Sequence, residues 1–579
     1  DTNDNITVPN STNVTSYIAA VNTTIDTVSN TAGTFPEIMA NSIQVTVSSD
    51  ELVQDPTTPV DFSSSSFDVN TTVETIVSNA EEVEVYTLLV PREYITNSNL
   101  ATAIAHWNSH LREETLIAYG HIADWDVSRV TSMYELFKGN KRFNHNLSRW
   151  DTRNVTNMSF VFYQAEDFNG DISTWNTSNV TNMESMFHAA VNFNQDINTK
   201  VVTVDGETYT AWDTSKVTNM FEMFRSARQF NQDISNWNIN SLTSLHYVFY
   251  ECWDFNHDMN TKVVTVNGDT YTAWDTSNIT SLDSTFHTCL MFNGDISKWN
   301  TSNVTSLWAM FHQARSFNQD ISTKAVTVNN NSYTAWNTSN VTILNRTLFE
   351  AYKFNQDISS WDTSSVTNMS GTFFRARDFN QPLNTWITSN VTNMEDVFQE
   401  ADVFNQDISS WDTSNVSSMY RMFKDTRLFN QPLPWNTSKV GSTEDMFENA
   451  TSFNQDISSW NISNVQRMHG MFKGAVSFNR PLPSNTSNVR WMQNMFEGAT
   501  IFNQPLPWDT STVTDMNNMF NGARAFNQPL TFDTTNVTDM SDMFNGAWAF
   551  NQPVTFDTTN VTDMSDRFNG AWAFNQPVT

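Results

Sequence analysis

The 579-residue sequence predicts a repeat solenoid of about 17 coils, because one motif of 24 or 25 residues recurs along most of its length. The motif reads W-D-T-S-N-V-T-N-M-x-x-M-F-x-x-A-x-x-F-N-Q-D-I-S, and its spacing widens to 37 residues at three places. Positions are counted from the lead residue, so that Phe-Asn stands at positions 18 and 19 of every copy. The lead residues are Trp125, Trp150, Trp175, Trp212, Trp237, Trp274, Trp299, Trp336, Trp361, Trp386, Trp411, Trp435, Trp460, Ser484, Trp508, Phe532 and Phe556.

Each part of the motif predicts a local structure. The V-T-x-M part alternates apolar and polar residues as a short strand does, so stacked copies would form a parallel β-sheet. The x-x-M-F-x-x-A part has the apolar spacing of one helical turn. The Asn at position 19 would hydrogen-bond the backbone of the neighbouring coil and form a ladder. At a strand spacing of about 4.8 Å, the stack of coils would span roughly 80 Å.

The three wide gaps contain the same 12-residue insertion, near residues 199–211, 261–273 and 323–335. Alternating β-branched residues surround a central pair of a kind that favours type I′ turns, so we expect three β-hairpins on alternate coils. The hairpins would either form a lateral binding surface or merely extend the sheet. The expected turns lie at Asp205-Gly206, Asn267-Gly268 and Asn329-Asn330.

Two segments precede the solenoid, which itself covers residues 125–579. Residues 93–124 would form a helical cap, with one amphipathic helix over 99–117. Residues 1–92 are rich in Thr, Ser and Asn, and up to residue 91 they hold thirteen acidic residues and no Lys or Arg. They are either an acidic stalk or a β segment that pairs with a neighbouring molecule. The last coil has no cap in the sequence, so we expect either a longer chain or a covering molecule.

The repeat resembles a known family. W-D-T-S-N-V-T-N-M…M-F…A…F-N-Q-D-I-S is similar to the BspA-like leucine-rich-repeat surface proteins of bacteria, protists and microalgae. The preceding N-L-A-T-A-I-A-H-W-N-S-H-L-R-E-E-T resembles the start of the algal versions. The resemblance covers about residues 93–579 and implies a right-handed, leucine-rich-repeat-like solenoid. It also implies a secreted surface, adhesion or interaction protein without shared catalytic residues.

The cysteines and the glycosylation motifs point to an extracellular setting. Cys252 and Cys289 share position 15 of adjacent coils, where stacking at about 5 Å suits a disulfide; the alternative is two buried free thiols. Asn-x-Ser/Thr occurs 26 times, a number that copying of the repeat inflates. Four of these motifs lie in the first 22 residues and favour a secreted, glycosylated chain. The predicted glycosylation sites are Asn5, Asn10, Asn13, Asn22, Asn70, Asn154, Asn179, Asn303, Asn340, Asn390, Asn536 and Asn560.

Charge and motif content exclude several classes of function. The formal net charge of -32 argues against nucleic-acid binding and against docking on an anionic membrane. No run approaches the roughly 18 apolar residues of a membrane span. The ten His form no H-E-x-x-H motif, and no phosphate loop or nucleophile elbow occurs, so neither an enzyme nor a cofactor is expected. Asp171, Asp196 and Asp233 recur on successive coils, as a calcium-binding row or as a solvated acidic edge.

These features together predict a secreted, glycosylated, non-catalytic structural protein of a cell surface or an extracellular filament. It would assemble end to end through its amino-terminal segment and its open last coil, since contacts that do not close give filaments. The alternative is an adhesin or receptor that binds protein or glycan through the sheet face or the hairpin row. The partners would accordingly be further copies of the chain, or surface proteins and glycans.

Overall fold

The computed structural model describes residues 94–577 and, as backbone, three strands nearer the amino terminus. Strand β1 spans Ile6–Thr7, β2 spans Met39–Thr46 and β3 spans Val85–Arg92. They form one sheet in the order β1-β2-β3, in which β1 is parallel and β3 antiparallel to β2. The predicted glycosylation sites that lie outside the described residues are Asn5, Asn10, Asn13, Asn22 and Asn70.

The chain divides into two compact units, Asp1–Thr131 with Leu147–Asn154, and Ser132–Asn146 with Val155–Thr579. The first unit contains helix α1 (Leu100–Trp107), helix α2 (Arg112–Tyr119) and a 3-10 turn at Ile122–Asp124.

The single helix predicted over 99–117 is therefore wrong in one respect, since it is broken at residues 108–111. The break has a local cause. The Ser109 hydroxyl donates to the His106 carbonyl and accepts from the Leu111 N–H, and such local bonds compete with a continuing helix.

The helical region packs on the first two lead tryptophans. Helix α1 buries Leu100, Ile104 and Trp107, and the Trp107 ring meets the Trp125 ring edge-on at 5.9 Å between centroids. The indole N–H of Trp150 donates to the Ile122 carbonyl at 2.7 Å. These contacts lie within the first unit, and they are the kind that a cap makes with the coils it covers.

The second unit is a solenoid whose core consists of stacked aromatic rings. The phenylalanines at position 12 stack from coil to coil, as Phe373 does on Phe398 at 5.5 Å, and those at position 18 do so at about 6 Å. Lead tryptophans stack in a third column, with Trp361 6.2 Å from Trp386. Because each buried Phe side chain is worth about 1.5–3 kcal/mol, repetition of these columns supplies most of the cohesion between coils.

The predicted asparagine ladder is confirmed. At all sixteen steps from Asn144 to Asn575, the N–H of the position 19 Asn donates to the side-chain Oδ1 of the preceding Asn, at 2.8–3.1 Å. In most coils the following Gln adds a second bond to the same oxygen, as Gln406 does to Asn380 at 3.0 Å. The Asn side chain thus provides a hydrogen-bond acceptor for a backbone N–H group that lies outside the parallel bridges.

The predicted parallel sheet is reduced to single-residue bridges. Residues at position 7 bridge in parallel fashion to the next coil, for example Asn368 to Asn393, and within 94–577 strands occur only in the hairpins. The reason is that turns enclose the bridge on both sides. The Val366 N–H bonds back to the Thr363 carbonyl at 3.0 Å, and position 10 has a positive φ.

The predicted helical turns at positions 9–15 are also wrong. In the coil led by Trp336, the N–H groups of Arg346 and Glu350 donate to the next coil, whereas that of Phe349 bonds back to the Arg346 carbonyl at 3.3 Å. Positions 10 and 14 have φ between 49° and 71° in every coil, for example 56° at Arg346 and 54° at Glu350. This run of turns, called the turn ladder below, keeps the apolar spacing of a helix but directs alternate N–H groups along the stack.

The three predicted hairpins are confirmed. Strand pairs β4 and β5, β6 and β7, and β8 and β9 are antiparallel and form three separate two-stranded sheets, so they do not extend a common sheet. Their turn residues have φ near 50–90°, as type I′ turns require. The strands are β4 (Lys200–Val204), β5 (Glu207–Ala211), β6 (Lys262–Val266), β7 (Asp269–Ala273), β8 (Lys324–Val328) and β9 (Asn331–Ala335).

A candidate binding face on the turn ladder

Chemically diverse side chains gather on the outward side of the turn ladder. Positions 0, 5, 12, 18 and 19 hardly change along the chain, whereas positions 9, 10, 13, 14, 16 and 17 differ from copy to copy. The buried backbone bonds and ring columns account for the constant positions, so the variable ones are free to carry function. We call their side chains in six consecutive coils the variable face; it lies within residues 221–229, 246–254, 283–291, 308–316, 345–353 and 370–378.

A column of stacked rings runs along the variable face at position 13. Centroids of neighbouring rings are 4.1–4.3 Å apart, closer than in the buried phenylalanine columns. The Arg225 guanidinium lies 4.8 Å from the first ring and ends the column on that side. The rings in order are Tyr250, His287, His312, Phe349 and Phe374.

The two histidines of this column are held neutral. Burial, and after it the neighbouring His312 and the arginines Arg225 and Arg346, lower the pKa of His287 to about 3. Burial also lowers the pKa of His312 to about 4, with Arg346 as the second cause. A neutral imidazole stacks on Tyr250 or Phe349 without a charge to solvate, so the column behaves as one apolar strip.

Aromatic side chains at positions 9 and 10 widen this strip. Tyr247 lies 5.3 Å from Tyr250 and meets Trp308, two coils further on, edge-on at 6.5 Å. Phe221 is 38% exposed and meets Tyr247 at 5.9 Å. Trp, Tyr and Arg are the residues that dominate binding energy at protein interfaces, so the composition is that of a contact surface.

Five side chains of the same face have a buried polar atom without a hydrogen-bond partner. The side chains of His246, Ser284 and His312 each have a buried polar atom without a hydrogen-bond partner, and so do Arg228 and Trp253. Native proteins rarely leave such atoms unpaired away from functional sites. The turn ladder outside the variable face also contains such atoms, at Asp396, Thr443, His469, Gln493 and Arg567, so they do not distinguish this face.

The coils led by Ser484 to Phe556 present a plain polar surface at positions 9, 10, 13 and 14, whereas Trp548 and Trp572 are exposed at position 16. Position 14 is Gly in each of them, and position 13 is Asn in the last three, at Asn521, Asn545 and Asn569. Their side chains bond locally, as Asn521 does to Asn518 at 2.8 Å. This region offers matched controls for the variable face, because the backbone is the same and the chemistry is not.

The sequence analysis did not single out the variable face, since it placed ligand binding on the sheet face or the hairpin row. The hairpins are firmly attached: the Tyr209, Tyr271 and Tyr333 hydroxyls donate to carbonyls of the preceding coil. The available signal was the variation itself, together with Gly at positions 10 and 14, as at Gly371 and Gly474, which marks left-handed backbone.

The predicted disulfide is not present. Cys252 and Cys289 are free, fully buried thiols. The Sγ of Cys252 lies 3.2 Å from the Ala227 carbonyl, and that of Cys289 lies 2.8 Å from the Phe249 carbonyl, so each sulfur bonds to backbone. Burial raises the pKa of both thiols and keeps them protonated. The alternative of two buried free thiols is the one that the structure contains.

The described glycosylation candidates are all exposed, and their recurrence has a structural cause. The side-chain Nδ2 donates to a carbonyl of an earlier coil at 2.7–2.8 Å in Asn154, Asn303, Asn340, Asn390, Asn536 and Asn560. A glycosylated amide keeps one N–H, so the bond and a sugar are compatible. The seven exposed residues are Asn154, Asn179, Asn303, Asn340, Asn390, Asn536 and Asn560.

The aspartates of the suggested calcium row have local partners. The carboxylates of Asp171, Asp196 and Asp233 each accept the N–H of the residue two positions on, at 2.8–3.1 Å. Among the described residues, no group of three His, Cys, Asp or Glu side chains could hold a metal ion. An open polar hollow at the base of hairpin β6–β7 is lined by Asp233, Asp295, Lys262 and Lys298, among others. Calcium binding stays an untested prediction.

No helix within residues 94–577 combines the length and the apolar character needed to cross a bilayer.

Comparison with known proteins supports the repeat assignment. The model of a family described as "Mycoplasma protein of unknown function, DUF285" matches residues 105–208, 206–267, 260–331, 322–434, 432–507 and 506–579. No curated protein matches the chain. A solved structure described as "Crystal structure of TLR13-ssRNA13 complex" aligns over 77% of this chain and 67% of that chain, with 12% identity and a TM-score of 0.19, too low to carry an argument. The finer resemblance to the protist and microalgal type stays a prediction.

Proposed function

Since the chain belongs to the repeat family described as "Mycoplasma protein of unknown function, DUF285", whose model matches it over residues 105–579, we propose that it is a non-catalytic binding protein. The variable face is its contact surface. The observation that carries this proposal is the ring column from Tyr250 to Phe374, because it places aromatic edges in a row on five coils whose constant positions are already explained.

We place the protein at a cell surface or in the extracellular space, as a secreted and glycosylated chain. The support is the exposure of the seven described Asn-x-Ser/Thr asparagines and the motifs in the first 22 residues. Intact-mass measurement of protein purified from its natural source, before and after treatment with an N-glycosidase, tests this. A mass that does not change contradicts glycosylation.

The binding role is tested with the labelled full chain on intact cells of the organism that makes it, by flow cytometry. Tyr247→Ala with Trp308→Ala removes two aromatic side chains from the variable face, and we expect at least a tenfold loss of binding. Ala is tolerated at position 10, since Ala309 occupies it with φ 51°.

Asn518→Ala is the matched control, because it changes the same position in the plain polar region. It should leave binding unchanged. Equal binding by the wild type and the double variant, with both correctly folded by circular dichroism, would show that the face is not the contact surface.

A structural role in a filament is the second candidate, and one observation favours it. Strand β3, eight residues long, pairs with β2 alone among the described strands, so its second edge is paired with none of them and offers a place where another strand can add. Electron microscopy of the full chain, beside a chain that lacks residues 1–91, tests this role. Filaments that vanish with the deletion support it, and dispersed particles in both samples contradict it.

A further inference from the structure

One buried carboxylate organises the basic side chains of the variable face. Glu350 is 5% exposed, and its carboxylate accepts hydrogen bonds from the Gln313 amide at 3.1 Å and from the Tyr352 hydroxyl at 3.2 Å. It pairs with Arg375 at 2.9 Å and with Arg315 at 3.6 Å. Because these partners surround it, Glu350 orients the guanidinium groups and is itself shielded from a ligand.

The aromatic ring of Tyr352 contacts two arginine side chains of this cluster. The Tyr352 ring lies between the guanidinium carbons of Arg315, at 5.2 Å, and of Arg377, at 4.7 Å. The side chains of these arginines are still 46% and 50% exposed. Arg346 is also exposed, 5.5 Å from the Phe349 centroid, and makes no ion pair in the described part of the chain. Guanidinium groups held in this way lose little entropy on binding a carboxylate.

The charge of three coils is opposite to that of the protein. In the coils led by Trp299, Trp336 and Trp361, the positions of the variable face have five basic side chains against two acidic ones, a net charge of +3 in a chain of net charge -32. Acidic side chains lie against these basic ones: Glu400 pairs with Arg375 at 2.7 Å and Asp402 with Arg377 at 4.0 Å, and Asp378 pairs with Lys353 at 3.1 Å. We call the basic residues the arginine patch: Arg315, Arg346, Lys353, Arg375 and Arg377. A positive patch with preorganised donors and adjacent aromatic rings selects an acidic peptide.

We propose that the arginine patch binds the acidic amino-terminal segment of a second copy of this chain. Residues 1–91 carry thirteen acidic residues and no Lys or Arg, so their charge is complementary to the patch along their whole length. Their densest acidic run, Glu81, Glu82 and Glu84, is the contact to which we commit. This inference rests on the proposed function, in which the variable face is the binding surface, and it names the partner. If the partner is a second copy of the chain, the same contact serves both the binding role and the structural role.

Sedimentation equilibrium of the full chain tests the proposal. We expect self-association that weakens at least tenfold between 50 and 300 mM NaCl, since it depends on paired charges. Arg346→Gln with Arg377→Gln should weaken it at least tenfold, and so should Glu81→Gln with Glu82→Gln and Glu84→Gln. Neither Arg346 nor Arg377 bonds to Glu350, so the buried network stays intact.

Arg524→Gln is the matched control, because Arg524 occupies the same position 16 as Arg377 but lies outside the patch, over Trp548 at 4.1 Å. It should associate like the wild type. A chain with Arg346→Glu and Arg377→Glu should also bind a chain with Glu81→Lys, Glu82→Lys and Glu84→Lys when the two are mixed, although neither associates alone.

A wild type that stays monomeric at all concentrations overturns the inference. The same holds if the patch variant weakens association and the glutamate variant does not. In either case the cell-binding assay decides separately on the proposed function, since it measures loss of contact through Tyr247 and Trp308 whatever the partner is.

Discussion

At the scale of single residues, the copies within this chain show which side chains a coil position accepts. Position 13 is Tyr250, then His287 and His312, then Phe349 and Phe374, and every neighbouring pair of rings stacks at 4.1–4.3 Å. Phenylalanine is therefore a replacement for histidine that the same backbone already accommodates. This permits a titration experiment with little risk of a packing defect.

We expect His287→Phe with His312→Phe to flatten the pH dependence of stability. The folded chain keeps both imidazoles neutral, with pKa values of about 3 and about 4, whereas the unfolded chain takes up protons near the ordinary pKa of 6.5. Folded stability is thus greatest above pH 6.5 and is lost as the pH falls toward the lower values. Thermal denaturation between pH 4.5 and 7.5 should show a smaller fall in melting temperature for the double variant.

His257→Gln is the control for this titration, because Gln stands at that position in most coils, for example Gln319. A reduction of the pH dependence as large as that of the double variant would mean that the effect is not specific to the ring column. Identical pH profiles for the wild type and the double variant would refute the assignment of this dependence to the ring column.

Gly294 marks a close approach between two coils. A Cβ added there would lie 2.0 Å from the His257 carbonyl oxygen, which is backbone and cannot rotate away. Gly294→Ala should therefore lower the free energy of unfolding by about 1–3 kcal/mol, the usual cost of overpacking. Urea denaturation measures this cost. Gly441→Ala is the control, because its nearest atom, the Ser417 carbonyl oxygen, is 3.7 Å away, and a loss of stability as large as that of Gly294→Ala would exclude the steric cause.

At the scale of elements, the asparagine ladder couples each coil to the next. The Asn380 Oδ1 accepts the Asn405 N–H and the Gln406 side chain, both at 3.0 Å. Asn380→Ala leaves these donors without a partner and should cost about 1–3 kcal/mol in urea denaturation. Asn380→Asp keeps an acceptor at the same place and should be less damaging. The reverse order of the two variants would show that the amide acts by volume and not by hydrogen bonding.

The hairpins are additions to a complete coil. Removal of residues 324–335 joins Thr323 to Trp336 and recreates the sequence D-I-S-T-W that already precedes the coil of Trp175. The lost contacts are few, chiefly the Tyr333 bond to the Lys298 carbonyl and the Thr323 bond to the Trp336 carbonyl. We expect the melting temperature to change by about 4 °C or less, and cell binding to persist. A loss of binding would move the contact surface to the hairpin row.

The sequence predicted the elements whose signals are local. Asp-Gly, Asn-Gly and Asn-Asn turns between alternating β-branched residues specify the three hairpins, and a constant Asn at position 19 specifies the ladder. It did not predict the turn ladder, because Met and Phe at positions 8, 11 and 12 have the same spacing in a helix. What decides between the two is the backbone at positions 10 and 14, which is left-handed even at Arg346 and Glu350 and is held there by bonds to the next coil. Such bonds between coils have no signature in a single repeat.

The site was harder to predict than the fold for the same reason. His287 and His312 lie 25 residues apart, and nothing in the spacing alone shows that their rings stack at 4.1 Å. Once the register of the coils is known, the column and the arginine patch follow from reading one position down the copies. The disulfide prediction failed in the opposite direction: the shared repeat position of Cys252 and Cys289 was taken as evidence of a bond, but both thiols are free.

At the scale of the whole molecule, the net charge of -32 lowers the stability of the folded state, because like charges repel one another. The repulsion among exposed carboxylates is screened by salt, with a Debye length of about 10 Å at 0.1 M. The melting temperature should therefore rise between 20 and 300 mM NaCl when measured by calorimetry at a concentration where the chain is monomeric. A melting temperature that falls with salt would mean that ion pairs such as Arg375–Glu350 outweigh the repulsion.

The asparagine ladder also has a direction, and this bears on how the chain acquires its fold. Every new coil brings an N–H, and most bring an indole N–H as well, toward carbonyl and amide oxygens of the coil before it. A polypeptide made from its amino end would thus find each receiving surface already in place when the next 24 or 25 residues emerge from the ribosome. Each folded coil would then serve as the template for the next one, and folding would proceed coil by coil before synthesis of the chain is complete.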